Sequence, residues 1–247
     1  MVRLTCPAGH SIRLREERTD YMVRNQLSWM IGGPQGSGVD SSANTFARAV
    51  ASAGLHIYGN REYHSNIKGD HSYFMVRIAE KEIHSSVNMM NLLATFDLET
   101  LQIHQDEVVA GGAIIYDPET TPAAELKRKD VLWVPVPYVQ IIQETAKQFN
   151  KPDVSKLMIM KNVISVAASF GLLEFDVEYL SKTLEWIFRK KPTLAPMNIA
   201  AGKRAYEMVA AQFAKKFDYK LSAIPVPKGE KRIILNGTTA TAIGKIL

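Results

Sequence analysis

The stretch WMIGGPQGSGVDSSANTFARAV, residues 29–50, constrains the fold of this chain more than any other. An apolar run enters a glycine-rich turn, and beyond it Val39, Ala43, Phe46, Ala47 and Val50 recur at helical spacing. Gly54 stands where a helix C-terminus prefers glycine. A strand, a glycine turn and an amphipathic helix open nucleotide-binding α/β folds. Glycines let a backbone approach an anion closely, and a helix N-terminus adds free N–H groups with positive dipole character. Gly33, Gly36, Ser37 and Gly38 are therefore the first candidate binding residues. The dinucleotide fingerprint, however, is Gly-x-Gly-x-x-Gly with an acidic residue about 20 positions on. From Gly36 the chain reads Gly36-Ser37-Gly38-Val39-Asp40-Ser41, so a serine replaces the third glycine, and the P-loop lysine is absent. Glu62 lies near the acidic position but beside Arg61. That leaves an NADP-linked Rossmann oxidoreductase, with Arg61 on the 2′-phosphate, as one reading. A tight turn that binds nothing, with Asp40 as a first-turn acid favoured by the helix dipole, is another.

The rest of the chain alternates. LHIYG (55–59) reads as a strand, the polar NREYHSNIKGD (60–70) as a loop, and HSYFMVRI (71–78) as a half-buried strand. AEKE reads as a hairpin turn into IHSS. NLLATFD (91–97), EVVAGGAIIYD (107–117) and LWVPVP (132–137) are further strands, with LETLQIHQ a short helix between the first two. From 138 the pattern is helical over 138–149, 153–173, 176–190 and 196–217. This order predicts an α/β three-layer Rossmann-like sandwich with a helical C-terminal part. Its expected divisions are a flexible extension over 1–24, the main domain over 25–217, and a Pro- and charge-rich linker over 218–232. Residues 233–247 then restart with an apolar strand and a helix, as the opening of a second domain that is missing. The extension reads either as an arm or as sequence upstream of a start at Met22.

The most apolar run, VSKLMIMKNVISVAASFGLL (154–173), is broken by Lys161, and Lys161, Ser165 and Ser169 fall at four-residue spacing. A membrane span needs about 20 predominantly apolar residues, so this is a buried helix with one polar stripe. Hydrophobic residues at 46% and charged residues at 22% are those of a globular chain, which excludes general disorder. The net charge is +5, and Lys and Arg are spread along the chain with small clusters at 126–130, 188–191 and 227–232, which read as solvated surface, not a nucleic-acid face. The single cysteine, Cys6, excludes an internal disulfide and suits a reducing cytoplasm. Cys6 and His10 alone are too few ligands for a zinc site, and the charged N-terminal residues show no secretory signal.

The segment from Gly32 to Ile78 resembles the gamma-type domain of 2-oxoacid:ferredoxin oxidoreductases, as found at the N-terminus of fused alpha subunits. LLATFDLETLQIHQDEVVAGGAIIYD, VLWVPVPY and KLMIMKNVISVAASFGLL agree in order, so the resemblance spans roughly 27 to 220. IILNGTTATAIGKIL resembles the start of the family's pyrimidine-binding thiamine diphosphate domain, whose Tyr-Pro-Ile-Thr-Pro segment is not reached by residue 247. The resemblance implies CoA-dependent oxidative decarboxylation of a 2-oxoacid such as pyruvate, giving an acyl-CoA, CO2 and reduced ferredoxin. It implies thiamine diphosphate, Mg, CoA and an iron–sulfur cluster for the complex, with a beta subunit and ferredoxin as partners and no membrane or nucleic acid. This chain is expected to carry none of those cofactors alone: cluster ligation commonly takes four thiolates, and only Cys6 is present. The expected contribution is a surface of the glycine turn and the loop 60–72, where Arg61, Lys68 and His71 meet a carboxylate or CoA phosphate near the N–H groups of Gly36 to Gly38. Glu62 and Asp70 would position those cations, or Tyr63 and Tyr73 would anchor a subunit interface. Pro34 removes one donor from the turn. His71 and His104 read as hydrogen-bonded structural histidines, and no catalytic or metal-binding set stands out.

Overall fold

The computed structural model describes residues 22–63, 71–230 and 232–246. In chain order its elements are β1 (Val23–Arg24), β2 (Leu27–Pro34), α1 (Val39–Ser52), β3 (His56–Tyr63), β4 (His71–Ala79), β5 (Met90–Thr95), α2 (Leu98–His104), β6 (Val108–Tyr116), β7 (Leu132–Pro135), α3 (Tyr138–Gln148), α4 (Lys161–Leu172), α5 (Glu178–Ile187), α6 (Ala195–Phe213), β8 (Tyr219–Lys220) and α7 (Gly237–Ile246). The main sheet runs β3-β4-β2-β5-β6-β7. β2, β5, β6 and β7 are parallel neighbours, while β4 is antiparallel to both β2 and β3.

Strand alternation feeds two cores. Leu27, Trp29, Ile31, Val76, Leu92, Ala94, Ala113, Ile115 and Val134 point to one face, where they pack with residues of α1, α3, α4, α5 and α6. Met30, Met75, Met90, Leu93 and Ile114 point to the other, which α2 covers through Leu101. The helix–sheet–helix layering read from the sequence is therefore present, with one thick helical layer and one thin. β4 is buried on both faces: Val76 and Ile78 enter the first core and Met75 the second. The polar stripe of α4 has a structural use. Trp29 stacks on Phe46 at 4.0 Å, and its Nε1–H donates to Ser169 Oγ at 2.9 Å, so the stripe satisfies an indole inside an apolar core.

Several expectations need correction, among them the hairpin read at AEKE: IHSS after it forms no strand. Residues 60–63 are not loop but the end of β3, with Asn60, Arg61 and Glu62 opposite Met75, Phe74 and Tyr73. β3 is an edge strand, where the ladder holds polar residues that their propensity would place in a loop. The apolar IIL at 233–235 forms no strand, and α7 buries none of its side chains. The helix read over 153–173 begins as a 3₁₀ turn, Ser155–Met160, before α4.

The segment 218–226 lies on the domain. β8 pairs in parallel with β1. Asn25, at φ 55°, accepts the Ser222 N–H at 2.7 Å and donates to Glu80 Oε1 at 2.8 Å. The Ile224 N–H donates to the Ala53 carbonyl at 2.9 Å.

The chain leaves β2 through α1 toward the β3 edge, and leaves β5 through α2 on the opposite face toward β6. Where successive connections diverge in this way, a crevice opens at the carboxyl ends of the strands, the place where open α/β sheets bind ligands. The glycine turn lies there.

Candidate functional site at the carboxyl edge of the parallel strands

The turn from β2 to α1 is held from within and from both sides. The Ser37 N–H donates to the Pro34 carbonyl at 3.0 Å, so Pro34, which lacks a donor, serves as the acceptor that closes the turn. Gly36 has φ +83° and nothing within 4 Å of where a Cβ would stand; this is the open side. Gly38 is the N-cap of α1 at φ +100°, and a Cβ there would collide with the side-chain amide of Asn162. A Cβ on Gly33 would stand 3.0 Å from Phe96 and 2.9 Å from Ser37 Oγ. Phe96 after β5 and Asn162 on α4 therefore clamp the turn, and Ser42 Oγ donates to the Gly38 carbonyl at 3.0 Å. Of the three amides Gly36 to Gly38, that of Ser37 is used by the turn itself.

Arg61 reaches this place. Its guanidinium lies 2.7 Å from Asp40 Oδ2 in the first turn of α1, both side chains about half exposed. Such a pair contributes at most about 1 kcal/mol, and it sets a cation beside the helix N-terminus. Glu62, the next residue, points to the other face, where the Tyr73 hydroxyl donates to Glu62 Oε2 at 2.7 Å. Burial and Glu62 push the Tyr73 phenol upward, so it remains a donor. Glu62 is thus not the partner of Arg61. His71 shares the face of Glu62 and Tyr73, is 2% exposed, and meets His104 at 2.8 Å. The fold brings Arg61 to the turn and places His71 behind the sheet from it. Both histidines are hydrogen-bonded in the interior. Lys68, Asp70, Cys6 and His10 lie outside the described residues.

A second group of side chains stands at the same edge, and its members Asp117 and Tyr138 were not singled out from the sequence. Asp117, directly after β6, is 1% exposed; its Oδ1 accepts the Glu119 N–H at 3.0 Å and its Oδ2 lies 3.6 Å from Lys161 Nζ. Tyr138, the first residue of α3, is fully buried, and Lys161 Nζ lies 5.8 Å from its ring. The Tyr138 phenol faces Ser165 and Asp117, and burial pushes it well above its ordinary value. Ser37 Oγ, Asp117 Oδ2, Tyr138 OH, Asn162 Oδ1 and Ser165 Oγ are buried without a well-formed hydrogen bond. With the Lys161–Asp117 pair, these groups gather polar atoms in the interior beside the glycine turn. The signal available in the sequence was the Lys161–Ser165 spacing. Asp117 and Tyr138 had none beyond following strands β6 and β7, the position where parallel sheets place binding residues. Among the described residues, no group of three or more His, Cys, Asp or Glu side chains is gathered for a metal ion.

The pyruvate ferredoxin/flavodoxin oxidoreductase family model matches residues 28–208, a span that holds the glycine turn, Arg61, the histidine pair and the polar group from Asp117 to Ser165. The chain belongs to this family. The 2-oxoacid:ferredoxin oxidoreductase subunit alpha of a Sulfolobus species is 35% identical over 90% of the chain and 38% of its own length. Subunit alpha of enzyme 2 from Aeropyrum pernix is 25% identical over 90% of the chain and 39% of its own. The chain thus spans about two fifths of these relatives. A solved 2-oxoglutarate:ferredoxin oxidoreductase from Magnetococcus marinus, with 2-oxoglutarate, coenzyme A and succinyl-CoA bound, superposes with TM-score 0.75 over 90% of the chain and 37% of its own, at 23% identity. The keto/oxoacid ferredoxin oxidoreductase gamma subunit from Geobacter sulfurreducens superposes with TM-score 0.56 over 74% of the chain and 98% of its own, at 16% identity. These likenesses show the fold.

Proposed function

We propose that the chain supplies the gamma-type domain of a 2-oxoacid:ferredoxin oxidoreductase alpha subunit, and that its part in the reaction is to grip the phosphates of CoA. The observation that carries this is the glycine turn: clamped by Phe96 and Asn162, open over Gly36, and flanked by Arg61 at the N-terminus of α1. Positioned N–H groups and a guanidinium suit a phosphate. Asp40 holds Arg61 in place until a phosphate competes for it. The complex would join a beta subunit, convert a 2-oxoacid and CoA to acyl-CoA and CO2, and pass electrons to ferredoxin. Thiamine diphosphate with Mg would supply the carbanion chemistry and an iron–sulfur cluster the electron path. One cysteine in the whole chain does not meet the usual demand for four thiolates, so the cluster would be held elsewhere in the complex.

Calorimetry with CoA tests the grip. CoA is expected to bind the chain, and Arg61→Ala to weaken it about ten-fold, roughly 1.4 kcal/mol. Absence of CoA binding, or indifference to Arg61, would count against the reading. Saturable NADPH binding tighter than that of CoA would favour a dinucleotide enzyme instead. With pyruvate or 2-oxoglutarate and CoA, the chain alone is expected to reduce no viologen; any turnover would overturn its dependence on partners.

A further inference from the structure

Behind the glycine turn, on the face opposite Arg61, two buried imidazoles meet end to end. His71 Nε2 lies 2.8 Å from His104 Nε2, and the residues are 2% and 3% exposed. Both outer nitrogens are held as well. Thr100 Oγ1 lies 3.4 Å from His71 Nδ1, and Glu107 Oε2 lies 2.7 Å from His104 Nδ1. With Glu107 ionised and both rings neutral, these contacts allow one arrangement of protons. A carboxylate only accepts, so His104 carries its proton on Nδ1 and donates to Glu107. Its Nε2 then accepts from His71 Nε2–H, and His71 Nδ1 accepts from the Thr100 hydroxyl. One proton taken from solvent fits the same geometry: His104 becomes doubly protonated, His71 moves its proton to Nδ1, and the Thr100 oxygen becomes the acceptor. A second proton does not fit, because two N–H groups would face each other at 2.8 Å.

The pair touches the turn. A Cβ on Gly32 would stand 2.5 Å from Thr100 Cγ2 and 3.2 Å from His71 Cε1. His71 is the ladder partner of Pro34, and Ser72 Oγ donates to the Gly33 carbonyl at 3.2 Å. Among the described residues, these groups face the pair. From β4, the Tyr73 ring stacks 5.9 Å from His71 and meets His104 edge-on at 4.5 Å, its phenol tied to Glu62 of β3. Glu107 and Asp106 follow α2, Arg128 lies near Asp106 but is paired with Asp130, and Asp97 caps the Thr100 amide.

We propose that the Glu107–His104–His71–Thr100 chain is a proton-linked switch for the turn: one proton on the histidine pair places a positive charge behind Gly32 and Gly33 and strengthens anion binding there. The proposal rests on the anion-grip reading above and adds its regulation. By linkage, a bound anion equally strengthens proton uptake by the pair.

Sulfate is the probe, because its charge is constant over the range where histidine titrates. Long-range ¹H–¹⁵N spectra of the full chain are expected to show His71 as the Nε2–H and His104 as the Nδ1–H tautomer at alkaline pH, with one shared midpoint for one proton. Sulfate is expected to bind about ten-fold tighter below that midpoint than above it, the scale of a unit charge acting through an effective dielectric near 20. Glu107→Gln, at a side chain 43% exposed, keeps the acceptor and removes the charge. It should lower the shared midpoint and carry the pH dependence of sulfate binding down with it. Independent titration of the two histidines, or two protons taken up, overturns the switch. So does sulfate binding of equal strength on both sides of a shared midpoint. If sulfate binds at no pH while the shared titration persists, the anion-grip reading falls, and the switch with it.

Discussion

At Gly38 two constraints fall on one residue: a left-handed φ of +100° and the amide of Asn162 against its Cα. Gly38→Ala is expected to lower stability by about 2–4 kcal/mol, from backbone strain and overpacking together. In an Asn162→Ala background the same change should cost less, because only the strain remains; a double-mutant cycle in urea reads the difference. Trp29→Phe keeps the stack on Phe46 and loses the bond to Ser169, for an expected loss of about 1–2 kcal/mol in urea unfolding. Gly38 could be singled out from its neighbours in the chain. Asn162 could not, since nothing local marks a residue whose role is to touch another more than a hundred positions away.

Among elements, β3 shows where local reading fails and why. NRE at 60–62 has loop composition, yet its alternation sends Arg61 to the glycine turn and Glu62 to Tyr73. A common surface for Arg61 and His71, expected from the turn and the loop after β3, does not form, because the strand pleat puts them on opposite faces. At the other end, the short β1–β8 pair and the Asn25 bonds fasten residues 218–222 to the domain, whereas 233–246 bury nothing and leave Ile233 73% exposed. Removal of 233–247 is expected to leave the thermal midpoint within about 1 °C. Removal of 218–247 should lower it by about 4 °C or more, the scale of a loss of 2 kcal/mol in a domain of this size. Equal midpoints for the two truncations would show that the pairing does not stabilise the domain.

For the molecule as a whole, the mixed sheet divides apolar burial between a thick layer with α1 and α4 and a thin one with α2, and the turn sits at the edge where the two layers meet. Four phenols, Tyr73, Tyr116, Tyr138 and Tyr206, are pushed upward chiefly by burial. Above the unfolded value of about 10 the native state therefore keeps protons that the unfolded chain releases. By linkage, the stability from these groups is full below that pH and falls as pH rises through it. The urea midpoint is expected to drop above about pH 10, and to drop less in Tyr138→Phe; a midpoint flat to higher pH would contradict this. No helix among the described residues is long and apolar enough to cross a membrane.

The parts whose physics is local are legible along the chain: the strand–glycine turn–helix entry, the apolar β2, β5 and β6, the succession of C-terminal helices, and the family. Periodicity and backbone freedom are properties of neighbouring residues, so they can be read along the chain. Long-range packing sets β4 antiparallel between β3 and β2, parts Arg61 from His71, and gathers Asp117, Tyr138 and Asn162 beside the turn. It also makes His71, an expected ligand contact, half of a buried pair with His104. Those outcomes depend on which strands become neighbours and which face each residue takes, and a one-residue change in register reverses the face. Pairing between distant segments carries that information, and no local stretch of sequence contains it.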